Sequence, residues 1–275
     1  MPIVTFWSNK EKSIGQTVAA SVAATVAAIE HNYKVLLISA DCNDETMEEC
    51  FGAQESNKDI VKGIIQKPQI NLDSGIQGLL KLADSNRISP EIIHDYTKII
   101  FKNRLEVLLS PIILEKKDVF MEKIKKIILN ASRYYDYVFV DLEKGIKNIY
   151  QEEILNISDV VVLNVDQKIK TIEDALNTKE VKQIYNKIVW NICRADNKSK
   201  YNSKNITRKI LKKEKICETD YNTLVSEATQ EGNIPELMLR FRTIKENDCN
   251  YIFISKVKLL IEQIIFKYRE MRSGM

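Results

Sequence analysis

With 275 residues, 44% of them hydrophobic and 29% charged, the chain is long enough to bury a full α/β core, and one domain over residues 1–275 is the expected arrangement. Its net charge of +3 permits contact with nucleic acid or anionic lipid without arguing for either. No apolar stretch reaches the ~20 residues that span a bilayer, and the chain opens directly into a strand-like run, so the expectation is a cytoplasmic protein, neither secreted nor integral to a membrane. The five cysteines (Cys42, Cys50, Cys193, Cys217, Cys249) are odd in number and far apart, with no CxxC pair and no histidine at ligand spacing. They read as reduced thiols, and no zinc site is expected. His31 and His94 stand isolated in the sequence.

Residues 3–41 organise the rest. A short β-like run, IVTFWS, leads into the loop NKEKSIGQ, an Ala/Val-rich helical run over 17–31, and a second apolar run, KVLLIS, after which Asp41 follows closely. From 44 to 104 the pattern turns helical and more polar, with breaks at Pro68, Gly75, Gly78 and Pro90. This stretch is expected to be an elaboration with short helices over 75–85 and 90–101. Residues 105–109 form the next strand run, and 118–134 read as an amphipathic helix with Lys and Glu on its outer face. YVFVD (137–141), DVVVLNV (159–165) and the run over 187–192 are short, continuous and apolar, as parallel strands are when covered on both faces. Residues 250–272 place Phe253, Val257, Leu260, Ile261, Ile264 and Tyr268 at helical spacing. The alternation of strands and helices predicts a doubly wound, mostly parallel sheet with helices on both faces.

The loop before residue 17 has the layout of a phosphate loop. Such a loop needs glycines so that backbone N–H groups can surround phosphates, a lysine for the β- and γ-phosphate charge, and a Ser/Thr hydroxyl for Mg²⁺. Gly15 and Thr17 fit, and Gln16 stands where the lysine belongs. Asp41, Asp141 and Asn191 end apolar runs, at the carboxyl edge where open α/β sheets place their ligands. An aspartate there can hold Mg²⁺ through water opposite a phosphate loop. The alternative for Asp141 is a capping or loop carboxylate, and for Asp41 one charge of an acidic loop with Asp44, Glu45, Glu48 and Glu49.

Taken together, the pieces resemble the ParA/MinD family of deviant P-loop ATPases over nearly the whole chain. IVTFWSNKEKSIGQT matches the first strand and loop, KVLLISAD the second strand, YDYVFVD the Walker B strand and SDVVVLNVD the strand after it. IVWN looks like the strand whose Asn contacts the base, and TDYNTLVSEATQEG like the segment that closes over the purine. The resemblance implies ATP or ADP with Mg²⁺ as ligand. Asp41 would position the attacking water, Thr17 and Asp141 would serve the metal, and Lys10, Lys12, Gly15, Gln16, Thr17 and Asn191 would form the nucleotide site. It also implies a homodimer and a protein partner. Iron–sulfur reductases of related fold need paired cysteines across a dimer, and none of the five has a suitable context.

The departures bear on mechanism. The family's two loop lysines fall on Glu11 and Gln16, its paired glycines on Lys12 and Ser13, and its first acidic residue after the second strand on Ser39. The Thr-Pro-Pro-Gly that often follows the Walker B aspartate is Leu142-Glu143-Lys144-Gly145. A lysine–phosphate contact is worth roughly 1.5–3 kcal/mol, and losing a preorganised charge on the transferring group costs on the order of 10²–10³ in rate. The expectation is a degenerate member acting as a localisation or partition scaffold for a large assembly, in plasmid or chromosome partition, conjugation, secretion or pilus machinery, with hydrolysis weak or absent. The alternative is an active ATPase that cycles between monomer and nucleotide-bound dimer to segregate DNA, with Lys10 or Lys12 replacing the lost lysines. The basic run over 204–215 (KNITRKILKKEK) reads as a solvated helix face or as a nonspecific DNA contact of the ParA kind. The C-terminal helix reads as packed on the core, the alternative being peripheral membrane contact of the MinD kind.

Overall fold

A computed structural model describes residues 1–12, 14–52, 75–85, 87–110, 117–196, 198–211 and 214–274. Ser13, the Pro68 break with most of the middle of the 44–104 elaboration, and residues 212 and 213 of the basic run lie outside the described residues.

Eight strands form one sheet: β1 Ile3–Trp7, β2 Val35–Ala40, β3 Lys98–Phe101, β4 Leu105–Leu108, β5 Tyr137–Leu142, β6 Val160–Val165, β7 Ile188–Ala195 and β8 Ile216–Asp220. Their spatial order is β3-β4-β2-β5-β1-β6-β7-β8. Every described pairing is parallel except β3 with β4. Strands β1, β2, β5 and β6 are buried along their whole length, which is why each reads as an unbroken apolar run.

The helices, in chain order, are α1 Gln16–Glu30, α2 Thr46–Cys50, α3 Gly75–Asp84, α4 Pro90–His94, α5 Lys117–Ala131 and α6 Ile149–Ile157. They continue with α7 Ile169–Asn177, α8 Lys179–Gln183, α9 Ser203–Ile206, α10 Thr223–Glu231, α11 Ile234–Phe241 and α12 Tyr251–Ser273. On one face of the sheet Trp7, Leu36, Ile38 and Trp190 pack with Phe120 and Ile124 of α5. On the other, Val4, Phe6, Leu37 and Phe139 pack with α1, α11 and α12. Helix α1 is buried nearly all round, and its alanines bring it close to both the sheet and its neighbouring helices.

Three departures from the sequence pattern have physical causes. The helix expected over 90–101 stops at His94, because Lys98–Phe101, rich in β-branched and aromatic residues, pairs antiparallel with β4 at the sheet's edge. Strand β7 runs on to Ala195 through a bulge between Cys193 and Ala195. Strand β8, whose sequence ICETD gives a weak apolar signal, is held because Glu218 accepts from Ser203 N (2.7 Å) and pairs with Lys256 of α12 (2.5 Å).

Helix α12 is packed on the core, with Phe253, Val257, Leu260, Ile261 and Ile264 buried, as its spacing predicted. Among the described residues no helix is long and apolar enough to cross a membrane. In the basic run, Ile206 and Leu211 are buried while Lys204, Arg208 and Lys209 are exposed, the arrangement of a solvated helix face.

Candidate nucleotide site

Strand β1, at the centre of the sheet, delivers the loop to the carboxyl edge. Ser8 O accepts from Gly145 N (2.8 Å) and Trp7 Nε1 donates to Gly145 O (3.0 Å), so the loop is fastened to the segment after β5. Gly15 then turns into α1 with φ 89°, a left-handed conformation that glycine adopts without strain. No side chain caps α1 and no acid sits in its first turn. Its leading N–H groups are left for an anion, and they carry the positive end of the helix dipole.

The side chains around that turn are drawn into contacts with β5 and α7. Gln16 is buried, and its Nε2 donates at 2.7 Å to both Asp141 Oδ1 and Leu142 O. Gln16 Oε1 is buried without a hydrogen-bond partner, and the buried Thr17 hydroxyl interacts with the Asp141 carboxyl. Lys10 turns away, pairing with Asp174 of α7 at 3.1 Å, and Lys12 is exposed. Glu11 leans across the loop, its Cγ 3.4 Å from where a Cβ on Gly145 would lie. Neither loop lysine proposed as a substitute is directed at the helix N-terminus by a contact.

A lysine does enter the acidic group, from after β5. Lys144 Nζ lies 2.5 Å from Asp44 Oδ2 and 3.8 Å from Asp41 Oδ2. Burial pushes Asp44 up, but the hydrogen bonds from Lys144 and Thr46 and the charge of Lys144 together outweigh it and hold that carboxyl below its ordinary value. Asp41, also bonded through Oδ1 to Asn43 N at 3.1 Å, is raised by burial. Asp141 is fully enclosed at the end of β5, and burial raises it to about 7 although Gln16 works in the opposite direction.

Beside the loop lies a cleft of about 220 Å³ lined by Gly15, Val18, Thr46, Glu49, Arg194 and residues 219–222 among others. Val225, Ser226, Thr229 and Gln230 of α10 complete the wall, so the segment expected to close over a purine does line a cavity next to Gly15. Asn191 does not reach it. This residue is buried, with Nδ2 donating to Asn164 Oδ1 (2.9 Å) and Oδ1 accepting from Thr219 Oγ1 (3.2 Å), a network that ties β6, β7 and β8 together. Strand β7 continues beyond Asn191, and Arg194 lies near its outer end. The sequence reasoning missed Arg194, and an arginine directly after an apolar strand at the carboxyl edge was the available signal.

Mg²⁺ demands near-octahedral oxygen ligands. The Thr17 hydroxyl suits it, but Asp141 Oδ1 accepts from Gln16, and Asp41 and Asp44 flank the Lys144 ammonium group. The acids as arranged do not fit the ion. Among the described residues no cluster of three or more His, Cys, Asp or Glu could hold a metal.

No protein-family model matches the sequence, and no curated protein is similar to it in sequence. Solved structures are similar in fold. A Borrelia burgdorferi protein assigned to plasmid partition, bound to AMPPNP, superimposes with a TM-score of 0.62 at 20% identity, covering 97% of this chain and 98% of its own. MinD in the MinC:MinD cell division complex of Aquifex aeolicus gives 0.63 at 16% identity, covering 95% and 96%. The septum site-determining protein MinD of Pyrococcus horikoshii, complexed with Mg-ADP, gives 0.64 at 15% identity, covering 96% and 95%. With the eight-stranded order, the loop entering α1 from the central strand and the cleft beside it, these likenesses establish that the chain has the ParA/MinD-like P-loop NTPase fold.

Proposed function

We propose that the protein is a ParA/MinD-like localisation or partition scaffold that binds a nucleotide and does not turn it over. The observation that carries this reading is the Gln16 amide on Asp141. The side chain at the position of the phosphate-binding lysine is neutral and is bonded to the carboxylate that would serve the metal. Losing one preorganised charge at such a centre costs on the order of 10²–10³ in rate, and the second loop lysine is also replaced, by Glu11. The uncapped N-terminus of α1 and the adjoining cleft support retained binding.

The scaffold role follows from the fold's company. Relatives in fold act in plasmid partition and, with MinC, in cell division, so we assign this chain a cytoplasmic homodimer that positions a partner belonging to a partition, conjugation or secretion assembly. The competing reading, an ATPase for DNA segregation, has one observation in its favour: Asp41 is kept, and Lys144 brings a positive charge to within 3.8 Å of it.

Steady-state phosphate release from Mg-ATP separates the two readings. The scaffold reading expects release at the level of buffer, unchanged in Asp41→Ala. Release that Asp41→Ala abolishes would establish the ATPase instead.

A further inference from the structure

Arg194 is one of two non-glycine residues with positive φ among those described, at 51°, and it sits in the bulge that ends β7. A left-handed conformation is unfavourable for an arginine and persists where the surrounding structure imposes it, commonly at ligand sites. The bulge carries the side chain over the loop, where Arg194 Nε lies 3.2 Å from the point a Cβ on Gly15 would occupy. A side chain at 15 would crowd it, and the φ of 89° there favours glycine in any case. Among the described residues no carboxylate forms an ion pair with Arg194, although the side chain lines the cleft. Gly15, against which it lies, leads into the uncapped first turn of α1.

The acids nearby already have protein cations or donors against them: Gln16 on Asp141, and Lys144 on Asp44 with Asp41 close by. Asp220, on β8 beside the end of β7, is bound by Lys256 (2.7 Å), and Glu49 lines the cleft from α2. Glu49 suits the hydrogen-bond donors of a base or ribose, and Arg194 suits phosphate.

We infer that the cleft takes a nucleoside di- or triphosphate as the metal-free anion, with Arg194 replacing the missing loop lysines and Mg²⁺ adding nothing to affinity. This rests on the nucleotide-binding part of the function proposed above. Gln16 and Lys144 supply internally what the metal would supply to the acids, and Arg194 supplies what it would supply to the phosphates.

Calorimetric titration of the full chain with ADP, first in EDTA and then in excess MgCl₂, tests the inference. The dissociation constant is expected to stay within about twofold between the two buffers, and Arg194→Gln to weaken binding about tenfold or more in both, the size of a lost charge-assisted contact. Arg194→Lys, which retains a positive charge, is expected to recover part of the affinity and controls for disturbance of the bulge. Tightening of tenfold or more on adding Mg²⁺, or unaltered affinity in Arg194→Gln, overturns the inference while leaving nucleotide binding intact. Absence of binding in both buffers overturns the inference and the nucleotide-binding reading together.

Discussion

Gln16 changes what the loop does to its neighbours. A lysine there would bring a positive charge toward phosphate; the glutamine amide instead bonds Asp141 and Leu142 O and closes the loop onto β5. The substitution itself was plain in the sequence, but the destination of the amide was not, since it depends on β5 lying beside β1. Charge at the opposite edge was less legible still. His94 looked isolated, yet it meets Glu106 at 2.9 Å because the end of α4 packs beside β4. Glu106 is fully buried there, with Thr97 Oγ1 donating at 2.9 Å, the Tyr135 hydroxyl bonded to the same carboxylate and Lys34 at 3.6 Å. Burial alone would raise its carboxyl, but these hydrogen bonds hold it below the ordinary 4.5. A carboxyl depressed in the folded state stabilises it above the unfolded value, and that contribution is lost as pH falls from about 4.5 through the depressed one. Glu106→Gln is therefore expected to lower stability at pH 7 by about 1–3 kcal/mol and to flatten the acid limb of the stability profile. Urea unfolding across pH checks this; a variant that loses stability in parallel with the wild type below 4.5 would refute it.

At the scale of elements, the cleft depends on how closely α2 and α10 approach. Gly232 ends α10 at φ 72°, and a Cβ there would lie 2.4 Å from Gly52 Cα and 2.7 Å from Gly52 N. Both neighbours are backbone, so neither can turn aside. Gly232→Ala is expected to cost about 2–4 kcal/mol, from left-handed strain and forced separation together, and to weaken nucleotide binding because both helices line the cleft. Urea unfolding with wild-type stability would contradict the clamp. The cleft-lining segment from 219 was legible because its order after the apolar strands matched a known arrangement. The full length of β7 was not legible, because where a strand ends depends on its neighbours' register, and β7 pairs with β8 through Asp220, past the point where the apolar run stops. The C-terminal helix was readable because burial of one face fixes its spacing.

For the whole molecule, the alternation of apolar runs and helical stretches made the doubly wound sheet legible, because parallel strands covered on both faces leave an uninterrupted apolar signature. The antiparallel β3 and the polar β8 were not, since edge strands are defined by pairing more than by composition. The architecture is ParA/MinD-like, and the Gln16 amide lies on Asp141 beside an open cleft; on these rests the central proposal that nucleotide is held and left intact. Prolonged incubation of the protein with ATP and Mg²⁺, followed by isolation of the protein and identification of the nucleotide that stays with it, tests that claim most directly. The account predicts intact ATP. Recovery of ADP from the wild type but of ATP from Asp41→Ala would contradict it.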